Sequence, residues 1–150
     1  MTTIKNTTPL ESWEAEQFHK WLVTQGIPHT HVPNETGHSK EAKLRALKMK
    51  RQGTSAGVYD YEVYVPVPDV DGEIVEYELV KLELKRVKGG TTSEAQRKWS
   101  KIYEMAGIQH FVCRGWEEAR AAIQAVMANN RWDTVVEGKK PTDRRPEDIY

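Results

Sequence analysis

The sequence is poor in three features: cysteine, net charge and long apolar runs. Its single cysteine, Cys113, excludes a disulfide within the chain, so a reducing, cytoplasmic location is expected. Cys113 ends the mostly apolar segment 108–113, which favours a buried structural thiol. Lysine plus arginine and aspartate plus glutamate number 22 each, so the formal net charge is zero. A neutral chain has no overall attraction to nucleic acid, and any nucleic-acid binding must come from a local patch.

Long apolar segments are also missing. No stretch approaches the roughly 20 apolar residues of a membrane-spanning helix, and the first residues lack the apolar core of a signal peptide, so no membrane partner is expected. The length of 150 residues suits one domain, and 38% hydrophobic residues exclude wholesale disorder. Residues 1–8 and 131–150 are polar, which predicts a flexible N-terminus and a polar C-terminal tail around a domain at 9–130.

Helix and strand signals follow one another along the domain. Thr8, Pro9 and Glu11 form a helix-start pattern, and Gly26 predicts where that helix ends. In order, the predicted elements are a helix to about 25, an extended segment 27–35, a basic helix 39–52, strands 57–67 and 74–87 joined as a hairpin, a helix 93–106, a strand 108–113 and a helix 116–129. This order predicts an α/β fold with a mixed β-sheet flanked by helices.

A candidate catalytic group lies on the hairpin. Side chains two apart share a strand face, so Glu83 and Lys85 point to one side while Leu84 points to the other. Asp60 lies on the partner strand. Two carboxylates and a lysine are what Mg²⁺-dependent hydrolysis of a phosphodiester needs, namely hard oxygen ligands and a positive charge beside the phosphate. Spacing alone favours a simpler interpretation, an exposed strand face, because further charged residues lie along the same strand.

The stretch from Trp13 to Ile123 resembles the VRR-NUC family, a branch of the PD-(D/E)xK nuclease superfamily. The matching segments occur in order: an acidic residue on the first helix, Pro33-Asn34-Glu35, a basic segment running through Arg51 to Asp60, Glu83-Leu84-Lys85-Arg86, Ser93 to Trp99, and the turn Ala106-Gly107-Ile108 with its strand and final helix. One position departs from the pattern, since Tyr59 stands where the family usually has proline.

The resemblance implies a restriction-endonuclease-like core and a role for each matching residue. Asp60 and Glu83 match the family's metal-binding acids, with the backbone carbonyl of Leu84 as a further ligand to Mg²⁺, for which Mn²⁺ can substitute. Lys85 matches the catalytic lysine. Gln96 matches the glutamine that helps to arrange the lysine and the attacking water.

Glu14 is the candidate for the acid on the first helix. At about 100° per residue it falls within the stripe formed by Leu10, Phe18 and Trp21, and a carboxylate in a core-facing stripe needs a partner or a metal. A solvated position at the edge of the stripe is the alternative. Asn34-Glu35 is a further candidate for a place near the metal, with an ordinary turn as its alternative.

A basic helix precedes the loop that leads to Asp60. The segment 40–51 carries six basic residues against the single acid Glu41. It predicts a surface that holds the phosphate backbone of DNA, and a solvated helix face is the alternative. The candidate DNA-binding residues are Lys43, Arg45, Lys48, Lys50 and Arg51.

The substrate expectation also comes from the resemblance. Stand-alone proteins of this family resemble Holliday-junction resolvases, which implies a structure-selective DNA endonuclease that acts on branched DNA as a homodimer, with a two-fold axis that suits a four-way junction. A nicking, flap or restriction-type nuclease is the first alternative. A non-catalytic nucleic-acid-binding module on a nuclease scaffold is the second, and the intact set of Asp60, Glu83, Lys85 and Gln96 argues against it.

Overall fold

A computed structural model describes residues 8–32 and 39–130 of the chain. These ranges contain α1 Glu11–Thr24, β1 His29–His31, α2 Lys40–Arg51, β2 Tyr61–Pro68, β3 Ile74–Lys85, α3 Glu94–Met105, β4 Gln109–Arg114 and α4 Trp116–Asn129. The predicted α/β class is confirmed. Apart from Thr8, the expected flexible N-terminus and polar tail lie outside the described residues, as does Asn34-Glu35. None of the described helices is long and apolar enough to cross a membrane.

The four strands form one mixed sheet in the order β1-β2-β3-β4. The β1–β2 and β2–β3 pairs are antiparallel, and β3 and β4 are parallel because α3 crosses over between them. The hairpin register pairs Tyr61 with Leu82. The residue before β2, Asp60, therefore comes level with Glu83 near the end of β3.

One face of the sheet packs against α1 and α4 and forms the apolar core. Alternate residues of β2 and β3 point into it, as a period of two requires. Cys113 of β4 is 2% exposed, which confirms the expected buried thiol, and burial raises its pKa to about 12. The buried members of this core include Phe18, Leu22, Tyr61, Val63, Val65, Val80, Leu82, Leu84, Ala119, Ile123 and Val126.

The opposite face of the hairpin carries buried charge near α3. Lys81 is 5% exposed and donates a hydrogen bond at 3.0 Å to Oε1 of Glu62, its cross-strand partner. Its ammonium group lies 5.6 Å from the centre of the Tyr103 ring on α3. The hydrogen bond from Lys81 lowers the pKa of Glu62. The buried charge of Lys81 is therefore paired with Glu62 and lies beneath α3.

The start of α1 differs from its prediction. The helix begins at Glu11 with Leu10 as its N-cap, and no side chain caps it, so the capping pattern assigned to Thr8 is wrong. The carbonyls of Thr8 and Pro9 instead accept hydrogen bonds from the Arg86 guanidinium at 2.9 and 3.2 Å. This tie to the end of β3 holds residues 8 and 9 away from the helix.

The loop between α2 and β2 is pressed against α3. Gly57 has a φ of +86°, and a Cβ added there would lie 2.4 Å from the carbonyl carbon of Ala95. The indole N–H of Trp99 donates to the carbonyl of Ala56 at 3.2 Å. Only glycine allows this close approach. The contacts fix the backbone shortly before Asp60.

Gly57→Ala should destabilise the protein more than Gly53→Ala. Both glycines have positive φ, so alanine strains either backbone by about 1–2 kcal/mol. At Gly53 nothing lies within 4 Å of an added Cβ, whereas at Gly57 the Cβ overlaps α3, which adds about 1–3 kcal/mol. Urea unfolding of both variants measures the difference. Equal losses would show that the loop does not press on α3.

Candidate active site

Asp60 and Glu83 meet where β2 starts and β3 ends. Glu83 is 3% exposed and Asp60 is 8% exposed. Oε2 of Glu83 accepts a hydrogen bond from the backbone N–H of Asp60 at 3.0 Å, and Oδ2 of Asp60 accepts one from the N–H of Leu84 at 3.2 Å. Each carboxylate is thus held by the backbone of the other's strand. Their burial contradicts the alternative of an exposed charged strand face.

The pair is electrostatically unfavourable as two free anions. Burial, and then the charge of Glu83, raise the pKa of Asp60 to about 7, while the N–H of Leu84 acts in the opposite direction. Two neighbouring carboxylates removed from water favour a shared proton or a cation. A metal ion is one cation that would relieve the repulsion.

The donor set fits Mg²⁺. In residues 8–32 and 39–130 no three histidine, cysteine, aspartate or glutamate side chains form a group able to hold a metal ion. Mg²⁺ does not need one, because it keeps several waters and takes one or two carboxylates together with substrate phosphates. Structural zinc sites, by contrast, require four protein ligands. The Leu84 carbonyl remains a predicted ligand, since the contact from Leu84 to Asp60 uses its N–H.

Lys85 and Gln96 both reach Oε1 of Glu83. The Lys85 ammonium lies 3.3 Å from this oxygen, and the Lys85 side chain is 13% exposed. The amide nitrogen of Gln96 donates to the same oxygen at 2.7 Å. The four residues that the sequence places at the centre of the site, Asp60, Glu83, Lys85 and Gln96, are therefore brought together by the fold.

The N-terminal cap of α3 orients Gln96. Oε1 of Gln96 accepts a hydrogen bond from the N–H of Ser93 at 3.0 Å, and Oγ of Ser93 accepts one from the N–H of Gln96 at 3.1 Å. This reciprocal capping box occupies the carbonyl side of the glutamine amide and leaves its nitrogen to face Glu83. The Gln96 side chain therefore caps α3 and also donates a hydrogen bond to Glu83.

Glu14 is buried, as its place in the apolar stripe predicts, but its partner is a helix terminus. It is 3% exposed, and its Oε2 accepts a hydrogen bond from the N–H of Trp116 at 2.7 Å. The N-cap of α4 is Gly115, which has no side chain to offer. Glu14 therefore caps α4 from the neighbouring helix and complements its positive end. This partner removes the reason for assigning Glu14 to the metal.

Glu11 is the acid of α1 whose charge reaches the site. Its charge contributes to the raised pKa of Asp60 and, after burial and the charge of Asp60, to the pKa of Tyr61, which rises to about 12. Sequence reasoning missed it because Glu11 was used as a capping residue of α1. It lies at helical spacing from Phe18 and Leu22, which is a signal that could have found it, but it is exposed in the first turn of the helix.

Tyr59 anchors the backbone before Asp60. It is 1% exposed, its N–H donates to the hydroxyl of Tyr103 at 3.3 Å, and its ring meets that of Tyr103 edge-on with centroids 5.1 Å apart. Proline lacks the N–H that makes this bond. Tyr103 was also missed, and its signal is its place seven residues after Gln96, on the same face of α3.

The basic segment forms a helix, as predicted. Oγ of Ser39 accepts a hydrogen bond from the N–H of Ala42 at 3.1 Å and caps α2. All five candidate DNA-binding side chains are exposed; they are Lys43, Arg45, Lys48, Lys50 and Arg51. The exposure leaves both interpretations of this helix open, a phosphate-binding surface and a solvated face.

Comparison with known proteins connects this geometry to one fold. No protein-family model matches the chain, and no curated protein matches it in sequence. Among solved structures, the chain is similar to a VRR_NUC domain protein with a TM-score of 0.58, over 79% of this chain and 88% of that one. The two sequences are 17% identical, so the likeness is one of fold. The fold expected from the sequence resemblance is confirmed.

Glu14→Gln should lower the free energy of unfolding by about 1 kcal/mol, because it weakens a charged cap of α4. Glu16→Gln is the matched control, since Glu16 is an exposed acid of the same helix. Urea unfolding followed by circular dichroism compares the two variants. An unchanged unfolding midpoint for Glu14→Gln would mean that this carboxylate does not stabilise α4.

Proposed function

We propose that this chain is a Mg²⁺-dependent DNA endonuclease. The observation that carries the proposal is the buried cluster around Glu83, where one oxygen receives Lys85 and Gln96 and the other receives the backbone of Asp60. A half-buried lysine and two buried carboxylates converge at one point of a nuclease-type fold. Groups with perturbed ionisation that converge in this way are concentrated at functional sites.

Each residue has a separate task in the proposed reaction. Asp60 and Glu83 hold Mg²⁺ or Mn²⁺, with the Leu84 carbonyl as a further ligand. When bound, the metal supplies positive charge to the phosphate and a more acidic water. The Lys85 ammonium stabilises the negative charge that develops on the phosphate. Gln96 holds the Glu83 carboxylate in position.

The acid that α1 contributes is Glu11 in this proposal, which replaces Glu14. Glu11 is exposed, and its charge is one of the smaller influences that raise the pKa of Asp60, which is the basis for assigning it. Glu14 has its partner at the N-terminus of α4. The two acids lie three positions apart on the same helix.

The DNA approaches the site across α2. Its five exposed cations, Lys43, Arg45, Lys48, Lys50 and Arg51, provide local positive charge in a neutral chain. Arg51 and Asp60 are nine positions apart, so the two lie at most about 30 Å apart, within one turn of a duplex. Contacts to phosphates position DNA without reading its bases, which favours recognition by shape.

The proposed substrate is branched DNA, cut by a homodimer at a four-way junction. Support for this choice is the sequence resemblance to stand-alone junction-resolvase-like nucleases. A nicking, flap or restriction-type nuclease uses the same residues and is the alternative. A DNA-binding module without catalysis is the third candidate.

A cleavage panel tests the proposal. Labelled duplex, nicked, flap and four-way junction DNA of matched sequence are incubated with the protein and Mg²⁺ or Mn²⁺. We expect the junction to be cut fastest, and Lys85→Ala to reduce cleavage of every substrate by about 100-fold or more, the usual cost of losing a charge at the reacting centre. Binding of Lys85→Ala to DNA should persist, because α2 is unchanged.

The outcomes of the panel separate the candidates. Fastest cleavage of a nicked, flap or plain duplex substrate would move the assignment to the alternative nuclease types. Binding without cleavage of any substrate would favour the non-catalytic module. Cleavage by Lys85→Ala at the wild-type rate would refute the site.

Mg²⁺ should stabilise the wild-type protein and not the Asp60→Asn variant. A ligand that binds only the folded state at about ten times its Kd adds about 1.4 kcal/mol. Asp60→Asn removes one ligand and also the repulsion with Glu83, so this variant should be stable without metal and lose the response to it. Asp69→Asn, in the β2–β3 turn, is the matched control. Thermal unfolding with Mg²⁺ or excess chelator gives the shift, and cleavage that continues in the chelator would contradict the metal requirement.

A further inference from the structure

Helix α2 turns its small side chains inward and its leucines outward. Ala42 is 4% exposed, and Ala46 and Met49 are half-buried on the same face. Leu44 and Leu47 are 57% and 48% exposed, and at about 100° per residue they lie on the opposite face. Packing alone favours the reverse orientation, because burying leucine stabilises a fold more than burying alanine. Within the described residues, this leucine pair has no apolar surface to cover it.

Cations surround the leucine pair. At the helical angle, Lys40 and Arg51 lie between Leu44 and Leu47, and Lys43 and Lys48 flank them. The same face of α2 thus combines an apolar centre with a rim that is positive on balance, since Glu41, beyond Lys48, is its one acid. Two copies of this face would repel each other, because like charges would meet across a two-fold axis. The charge complements a polyanion.

The apolar centre selects one kind of polyanion. An intact duplex presents phosphates and base edges, whereas an interrupted duplex also exposes the apolar faces of unstacked bases. Proteins that kink or open DNA insert apolar side chains such as leucine at such steps. Two leucines provide too small an apolar stripe to hold a helix in a membrane interface. DNA with an unstacked step therefore fits this face better than a lipid surface does.

We propose that Leu44 and Leu47 form an apolar wedge that contacts exposed base faces at a branch point or bulge, while Lys43, Lys48 and Arg51 bind the flanking phosphates. The wedge rests on the proposed function only in that the chain binds DNA, and it does not depend on cleavage. It gives a physical source for structure selectivity, because the cations bind any duplex and the leucines gain contacts only where stacking is broken.

The test separates the leucines from the cations. The full chain, in chelator so that nothing is cut, is titrated by fluorescence anisotropy against an intact duplex, a duplex with a bulge and a four-way junction of matched sequence. Leu44→Ala/Leu47→Ala should weaken junction and bulge binding about tenfold, which is the loss expected from one buried leucine, and should change duplex binding by less than about twofold. Lys48→Gln/Arg51→Gln should weaken all three and reduce the salt dependence.

Two controls keep the result specific. Val70→Ala removes an apolar side chain that is 79% exposed in the β2–β3 turn and should change nothing. Alanine is a better helix former than leucine, so α2 should persist in the double variant, and circular dichroism checks this. A 2-aminopurine base at the branch point should brighten when the wild-type protein binds and should not when the leucines are absent.

Several results would refute the wedge. Unchanged junction affinity in the leucine variant would do so, as would an equal loss on duplex and junction. A leucine variant that changes only the mass of the assembly in solution, or only binding to anionic vesicles, would assign the face to a second copy or to a lipid surface. A chain that cuts DNA but binds junction and duplex equally would refute the wedge and leave the proposed function standing.

Discussion

The carboxylate of Glu83 is the group on which the rest of the site depends. It is almost completely removed from water, and an anion in that position is unfavourable unless donors surround it. Its donors come from three elements: the backbone before β2, the Gln96 amide of α3 and the Lys85 ammonium of β3 itself. Each element must be in place for the charge to be tolerated. The site therefore requires the hairpin and α3 to be in place together.

Helix α3 covers the charged face of the β2–β3 hairpin and buries it. The parallel β3–β4 connection sends the chain across the sheet, which brings the start of α3 to the end of β3. There the helix cap orients Gln96, and further along Tyr103 receives Tyr59 and lies over Lys81. Gly57 lets the loop before Asp60 approach α3 closely. Glu83 and Lys85 form a buried cluster, and not an exposed charged surface, because this helix excludes water from one side of the hairpin.

The acids of α1 show how far periodicity carries a prediction. Glu14 lies on the buried stripe, as its spacing from Phe18 predicts, and a buried carboxylate does need a partner. Periodicity cannot say which partner, because the N-terminus of α4 comes from a residue 102 positions away. Glu11 also lies at helical spacing from Phe18 and Leu22, yet it is exposed at the start of the helix, and its charge is one of the smaller influences that raise the pKa of Asp60. Neither the contact of Glu14 with α4 nor the proximity of Glu11 to Asp60 can be read from a local sequence pattern.

The sequence by itself determined the order of the elements, the pairing of β2 with β3, the shared face of Glu83 and Lys85 and the basic helix α2, because all of these follow from spacing between near neighbours. Only the tertiary structure decided that the Glu83 face is buried, that Glu14 caps a helix, that Tyr59 is an anchor and that α2 presents its leucines outward. These outcomes depend on contacts between residues far apart in sequence. Which face of an element meets another element is set by the packing of the whole chain, and no periodicity within the element specifies it.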